Sequence, residues 1–250
     1  MQQTARATEN ALGRPVTGTS VMPSVGIVPD VPVWIASLQQ LYLNGTISAS
    51  RGVPVGGRTS LGLEGEYRSL SRRSSACGAS YKGWDFASGI TLPYVWEEAT
   101  GTFNVNQASR STTDRVSNLY DMYFTPIMAG YHFSANDHIA LSFNIWVPTG
   151  KYEAGALANA SLNNWTFVPQ IAYTHLVPKY GLEFDDVMGF QFYTRNSATD
   201  YQNAPLFTLD VMGLKKFTNG VGVGLVMGTI QQDRQRHRPD SRSAQRFRRT

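Results

Sequence analysis

The sequence predicts an all-β protein, an antiparallel up-and-down β-barrel of the outer-membrane type, and three observations carry that expectation. Apolar and polar residues alternate with period two over segments of about ten residues. In "HIALSFNIWVPTGKY" (138–152), Ile139, Leu141, Phe143, Ile145 and Val147 share one face before Pro-Thr-Gly ends the run. The connections between such segments alternate between long and short, the rhythm of barrels with tight turns at one rim and long loops at the other. No long segment repeats apolar residues at helical spacing, and none is apolar for ~18 residues, so a membrane role would fall to strands closed into a barrel.

Nine segments read as strands: 33–43, 59–68, 84–96, 119–133, 138–147, 165–176, 182–193, 206–217 and 221–232. In the second, Leu61, Leu63 and Tyr67 oppose Ser60, Glu64, Glu66 and Arg68. In the sixth, Trp165, Phe167, Ile171 and Tyr173 share a face, and in the ninth Val221, Val223, Leu225 and Met227 oppose Gly222, Gly224, Val226 and Gly228. Strands of about ten residues exceed the usual soluble length and suffice to cross a bilayer at a tilt. From the third strand onward the connections are 97–118, 134–137, 148–164, 177–181, 194–205 and 218–220, long and short by turns. The stretch 69–83 breaks the rhythm, being long where a tight turn belongs. An odd strand count leaves an open edge, so the barrel is expected to be truncated. Aromatic residues gather near strand ends (Trp34, Tyr42, Trp84, Trp96, Tyr120, Phe133, Trp165, Tyr193, Phe207 and Phe217), as an interfacial girdle or simply as good strand formers. Asp186 interrupts the apolar face of 182–193, which implies either a position near the short-turn rim or a bulge that resets the register.

Only 16% of the residues are charged, below the roughly 25% of soluble domains. The net charge of +4 belongs to the end of the chain. Residues 233–250 hold seven of the 22 basic and two of the 18 acidic residues, which leaves 15 and 16 in the remainder. Three segments follow: an N-terminal segment 1–32, a barrel domain 33–232, and an Arg-rich tail 233–250 that is disordered or translated out of frame. A basic arm for nucleic acid is the lesser reading of that tail. The opening "MQQTARATENALGRP" has neither the basic nor the apolar region of an export signal. The single Cys77 excludes an internal disulfide and a cysteine-based zinc cluster.

Catalytic and metal chemistry find little support. His132, His138 and His175 fall near the short-turn rim at a spacing that matches no ligand motif, so no metal is expected. No Gly-x-Ser-x-Gly elbow is present, and "VGVGL" is followed by no helix, so its glycines are small inward positions. Asp200 in "NSATDYQN" suits a polar loop better than a calcium site. If the apolar faces meet lipid, Glu64, Glu66, Arg68, Gln170, Gln191 and Asp210 line the lumen.

Three stretches carry a resemblance: "TPIMAGYHF", "WVPTGKYEAGALANASLNNWTFVPQIAYTHLVPKYGLEF" and "NSATDYQNAPLFTLD". They are similar to an outer-membrane β-barrel family catalogued as "protein involved in meta-pathway of phenol degradation". The shared motifs are Pro148, Thr149, Gly150 and Tyr152, then Asn159, Asn163, Asn164, Trp165, Thr166 and Phe167, then Thr199, Asp200 and Tyr201. The resemblance implies a channel-like envelope protein linked to the catabolism of aromatic or other hydrophobic compounds. Family members usually carry an export signal and further strands, neither of which this sequence displays. The expected function is passive uptake of small hydrophobic or aromatic solutes across the outer membrane. Lipid and the solute are the partners, with no nucleic acid, no cofactor and no catalysis. The alternatives are a barrel-embedded lipid-modifying enzyme and a soluble lipocalin-like binding barrel.

Overall fold

The computed structural model describes residue 14 and residues 18–53, 57–105 and 108–232. The Arg-rich tail lies outside the described residues. Ten strands form one antiparallel sheet: β1 (Val33–Val53), β2 (Gly57–Tyr81), β3 (Trp84–Val105), β4 (Ala108–Leu119), β5 (Tyr123–His132), β6 (Asp137–Trp146), β7 (Thr166–Val177), β8 (Leu182–Tyr193), β9 (Leu206–Lys216) and β10 (Gly222–Gln232). Every strand pairs with the next in chain order except that β3 has two partners on one edge. Its first half, 84–91, pairs with β5 and its second half, 94–105, with β4. β4 and β5 are thus one return strand broken at Tyr120-Asp121-Met122, and the curled sheet is nine strands wide.

Two stretches differ from the sequence expectation. Residues 69–81 continue β2, which shrinks the awkward connection to Lys82-Gly83. Both residues have positive φ, 51° and 79°, as a two-residue hairpin turn between paired Tyr81 and Trp84 requires. The expected loop 97–118 is instead a hairpin that extends β3 and β4. Both stretches are rich in Ser, Thr and Arg and lack an apolar face. Their strand character comes from backbone pairing with a long neighbour, which periodicity does not report. With 69–83 corrected, the tight turns 82–83, 133–136, 178–181 and 217–221 all share one rim.

The sheet is polar inside and apolar outside. Along β8, Glu183, Asp185, Val187, Gln191 and Tyr193 are buried on the concave face. Phe184, Phe190 and Phe192, which alternate with them, are 43–46% exposed. The outward band continues through Leu141 on β6, Ile171 on β7, and Val223, Leu225 and Met227 on β10, the last three 64–80% exposed. Asp186 lies on this outward face in an unbroken register with both neighbours, beside Tyr173 and toward the short-turn rim. Its apparent misfit is one of depth and needs no bulge.

Segment 18–32, with Arg14 ahead of it, crosses the concave face from the long-loop rim to the short-turn rim, where β1 begins. Val21 and Val28 pack on Ala87, Ala140, Ala172, Val187 and Met212, so one small apolar cluster lies between this segment and the inner wall. The fit is close at Gly130, where a Cβ would lie 2.6 Å from Val28 Cβ.

Candidate functional site

The N-terminal segment donates backbone N–H groups to buried acceptors on the inner wall, where each needs hydrogen-bond partners. Gly18 and Ser20 donate to the two carboxylate oxygens of Asp210 at 2.8 and 3.1 Å. Ser24 donates from its backbone and hydroxyl to Glu183, whose other oxygen faces Lys216. Gly26 donates to Thr174 Oγ1 at 2.9 Å. At the short-turn rim the carbonyl of Val28 lies 3.2 Å from His132 Nε2.

Arg14 anchors the other end. Its Nη1 donates to Asp121 Oδ2 at 2.6 Å, Nε to Thr166 Oγ1 at 3.0 Å and Nη2 to the Asn164 carbonyl at 2.9 Å. Its backbone N–H donates to Gln191 Oε1 at 3.1 Å. The guanidinium carbon lies 5.1 Å from the Trp146 ring centroid and 5.7 Å from that of Tyr120. Both charged side chains are fully buried, which is tolerable because each is paired and hydrogen-bonded. Asp121 also accepts the N–H of Gly150 at 3.0 Å and of Leu162 at 3.0 Å. One carboxylate at the break between β4 and β5 therefore holds the N-terminal segment and both ends of the long 147–165 connection.

The motif positions gather here. Gly150 approaches so closely that a Cβ would sit 1.8 Å from the Ala160 carbonyl oxygen. Thr149 Oγ1 accepts the Met122 N–H at 3.0 Å, and Pro148 and Tyr152 flank the pair, half-buried. Asn164 receives Arg14, Asn159 Oδ1 accepts the Glu153 N–H at 2.7 Å, and Asn163 donates to Asn196 at 2.8 Å. Trp165 faces outward, 42% exposed. Asp200 pairs with Arg195 at 2.8 Å, and Tyr201 bridges to Asn196 within the same connection between β8 and β9. These loop residues hold their loops together and tie one loop to the next.

The six expected lumen residues separate into two groups. Gln170, Gln191 and Asp210 lie on the concave face, Gln170 accepting from Asn144 Nδ2 at 2.5 Å. Glu64, Glu66 and Arg68 lie on the opposite face, because Tyr67, Ser69, Ser71 and Arg73 are the β2 residues turned inward. Glu66 and Arg68 form an exposed ion pair beside a second one, Glu98–Arg115 at 2.8 Å. The far halves of β2, β3 and β4 thus carry charge on both faces, and polarity there no longer marks the inside. Glu97, between these outer pairs and the 147–165 connection, is held at a pKa of about 7 by burial, partly offset by the Asn159 N–H.

The histidines do not converge. His132 and His138 meet on the inner wall at 2.6 Å, Nδ1 to Nδ1, and His132 also lies 3.2 Å from Asp85. His175 sits on the outer side, 2.7 Å from Asp137, whose carboxyl is held near 2 by donors from Tyr173, Ser134 and His175. Ser80 donates to Asp85 rather than to an imidazole, which is not the order that activates a serine nucleophile.

Between the N-terminal segment and the wall lies a cavity of about 370 Å³ bordered by Arg14, Arg73, Thr91, Tyr123 and Trp146. Sequence reasoning passed over Arg14, Asp121, Arg73 and Thr91. The available signal was Asp121 itself, a lone carboxylate in "LYDMYF" at the point where the strand pattern falters.

A family model described as "Putative MetA-pathway of phenol degradation" matches residues 46–248. The match includes Asp121, the 147–165 connection and the inner wall, and begins after Arg14 and its segment. No curated protein and no solved structure matches the chain.

Proposed function

The chain belongs to this phenol MetA-pathway family, and from that premise we propose that it is a wall of an outer-membrane barrel admitting small hydrophobic or aromatic compounds passively, without covalent catalysis or a cofactor. The observation that carries the reading is the inverted polarity. Asp121, Asp185, Glu183, Gln191 and Asp210 are at most 1% exposed inside, while Leu225, Met227 and Val223 stand open outside. In water this arrangement exposes apolar surface and buries charge, each at a cost. In lipid the outer band is solvated and the polar interior supplies a path. A soluble lipocalin-like binder calls for the opposite, an apolar interior under a polar exterior.

Apart from Arg72, which lies on the outer face between Leu38 and Leu92, the apolar band runs to where the outer ion pairs Glu66–Arg68 and Glu98–Arg115 begin, so the β1–β4 extension projects beyond the membrane in this reading. Arg14 and residues 18–28 lie across the concave face, which favours a narrow, selective path over a wide aqueous pore. Refolding into vesicles followed by flotation at high salt and planar-bilayer recording tests this. Co-flotation with small, discrete conductance steps is expected. A protein that stays monodisperse without detergent and leaves vesicles untouched would overturn it.

A further inference from the structure

We infer that the lumen cavity is a binding site for a small aromatic carboxylate, held by Arg73 and Thr91 with its ring against Tyr123 and Trp146. This names the substrate class for the proposed uptake function and rests on that reading for its biological role, though not for its chemistry.

The strand registers set these residues in one row. Ser37 is the cross-strand partner of Arg73, Arg73 of Thr91, Thr91 of Tyr123, and Tyr123 of Trp146. All five border the same cavity. The row has a hydrogen-bonding end and an aromatic end. At the first, the Thr91 hydroxyl is buried, with the residue 2% exposed, and has no partner among the described residues. Its neighbour Arg73 is half-buried and makes no ion pair or hydrogen bond among the described residues. Arg14 also borders the cavity, but Asp121 neutralises it. Among the described residues no carboxylate lines the cavity. One uncompensated guanidinium beside one unsatisfied hydroxyl is the donor set for a single planar carboxylate, which satisfies both at once.

At the other end, the Tyr123 and Trp146 rings lie 4.3 Å apart, centroid to centroid. Neighbouring strands are about 4.8 Å apart, so Arg73 and Tyr123 stand roughly 10 Å from each other across two spacings. A carboxylate joined directly or through a short linker to one ring spans that interval. A cavity of about 370 Å³ lies within the range that holds small ligands.

Calorimetric titration of the full chain in detergent micelles with sodium benzoate, and separately with benzyl alcohol, tests the inference. The variants are Arg73→Gln, Arg73→Lys and Thr91→Val, each first checked for unchanged β content by circular dichroism. Saturable benzoate binding is expected. It should weaken roughly 10- to 100-fold in Arg73→Gln, as for loss of a charge-assisted contact. Thr91→Val should weaken it about fivefold and Arg73→Lys should retain most of it, while benzyl alcohol should be insensitive to all three. Absent or non-saturable benzoate binding, equal affinity for the two probes, or an unaltered Arg73→Gln would overturn it. Arg73-dependent benzoate binding without any membrane conductance would uphold this site and sink the channel reading. Conductance without benzoate binding would do the reverse.

Discussion

Replacing Arg14 by Ala removes the guanidinium's hydrogen bonds to Asp121, Thr166 and Asn164 at one stroke, and leaves the Asp121 carboxylate fully buried with only the N–H groups of Gly150 and Leu162. The backbone donation to Gln191 weakens as the segment loses its anchor. Breaking a buried pair by deleting one partner costs about 3–5 kcal/mol. The two surviving donors to Asp121 temper that, so a loss of ~3 kcal/mol is expected. Asp121→Asn strands the Arg14 charge instead and should cost a similar amount. The double variant Arg14→Ala with Asp121→Asn removes both charges together and should recover ~2 kcal/mol of the summed losses, the coupling a double-mutant cycle isolates. Urea unfolding in detergent, followed by tryptophan fluorescence, measures all three. Limited proteolysis near residue 14 should accelerate in Arg14→Ala while the strands stay protected. The reasoning is refuted if Arg14→Ala shifts stability by under about 0.5 kcal/mol, below any mechanism invoked here, or if the cycle shows no coupling.

Three further outcomes follow from particular contacts. Gly150→Ala places a Cβ 1.8 Å from the Ala160 carbonyl, so the 147–165 connection must shift, at a cost of about 2–4 kcal/mol, readable as a lowered urea midpoint. Glu97 binds its proton more tightly folded than unfolded, since its pKa rises from 4.5 to about 7. The Glu97 contribution to stability is therefore fully present below pH ~4.5, falls by at most about 3 kcal/mol as pH rises to ~7, and is flat above. Glu97→Gln should abolish that slope, and a profile identical to wild type would count against the burial argument. Ile171→Arg puts a charge in the middle of the outward band beside Leu141 and Met188, costing ~2–4 kcal/mol at a bilayer midplane. Vesicle insertion should fall, and unchanged insertion would argue that this face does not meet lipid.

How far the sequence reached depends on which half of the sheet is considered. In β6 to β9, both faces meet strongly different surroundings, so "HIALSFNIW" and "LEFDDVMGFQFY" display their strands and their sides plainly, with boundaries within a residue or two. In the extensions of β2, β3 and β4, neither face is apolar. "LSRRSSACGASY" is consequently strand without looking like one, and the polarity of Glu64, Glu66 and Arg68 points to the wrong side. Asp186 taught the same lesson in reverse: its charge is outward, yet near the rim, where a charge on the outer face is tolerated.

The sequence alone determined that this chain pairs strands up and down, with an apolar face on most of them and tight turns at one rim. Those properties are local, written in period two and in turn chemistry, and survive reading one segment at a time. Only the tertiary structure decided what fills the concave side. Arg14 meets Asp121 across 107 residues, and Gly18 meets Asp210 across 192. Hydrogen bonds between a patternless segment and single polar residues scattered over β5, β7, β8, β9 and the connections beside them leave no period behind. They exist because a buried charge or hydroxyl must find a partner, and the partner's place in the chain is set by how the sheet curls.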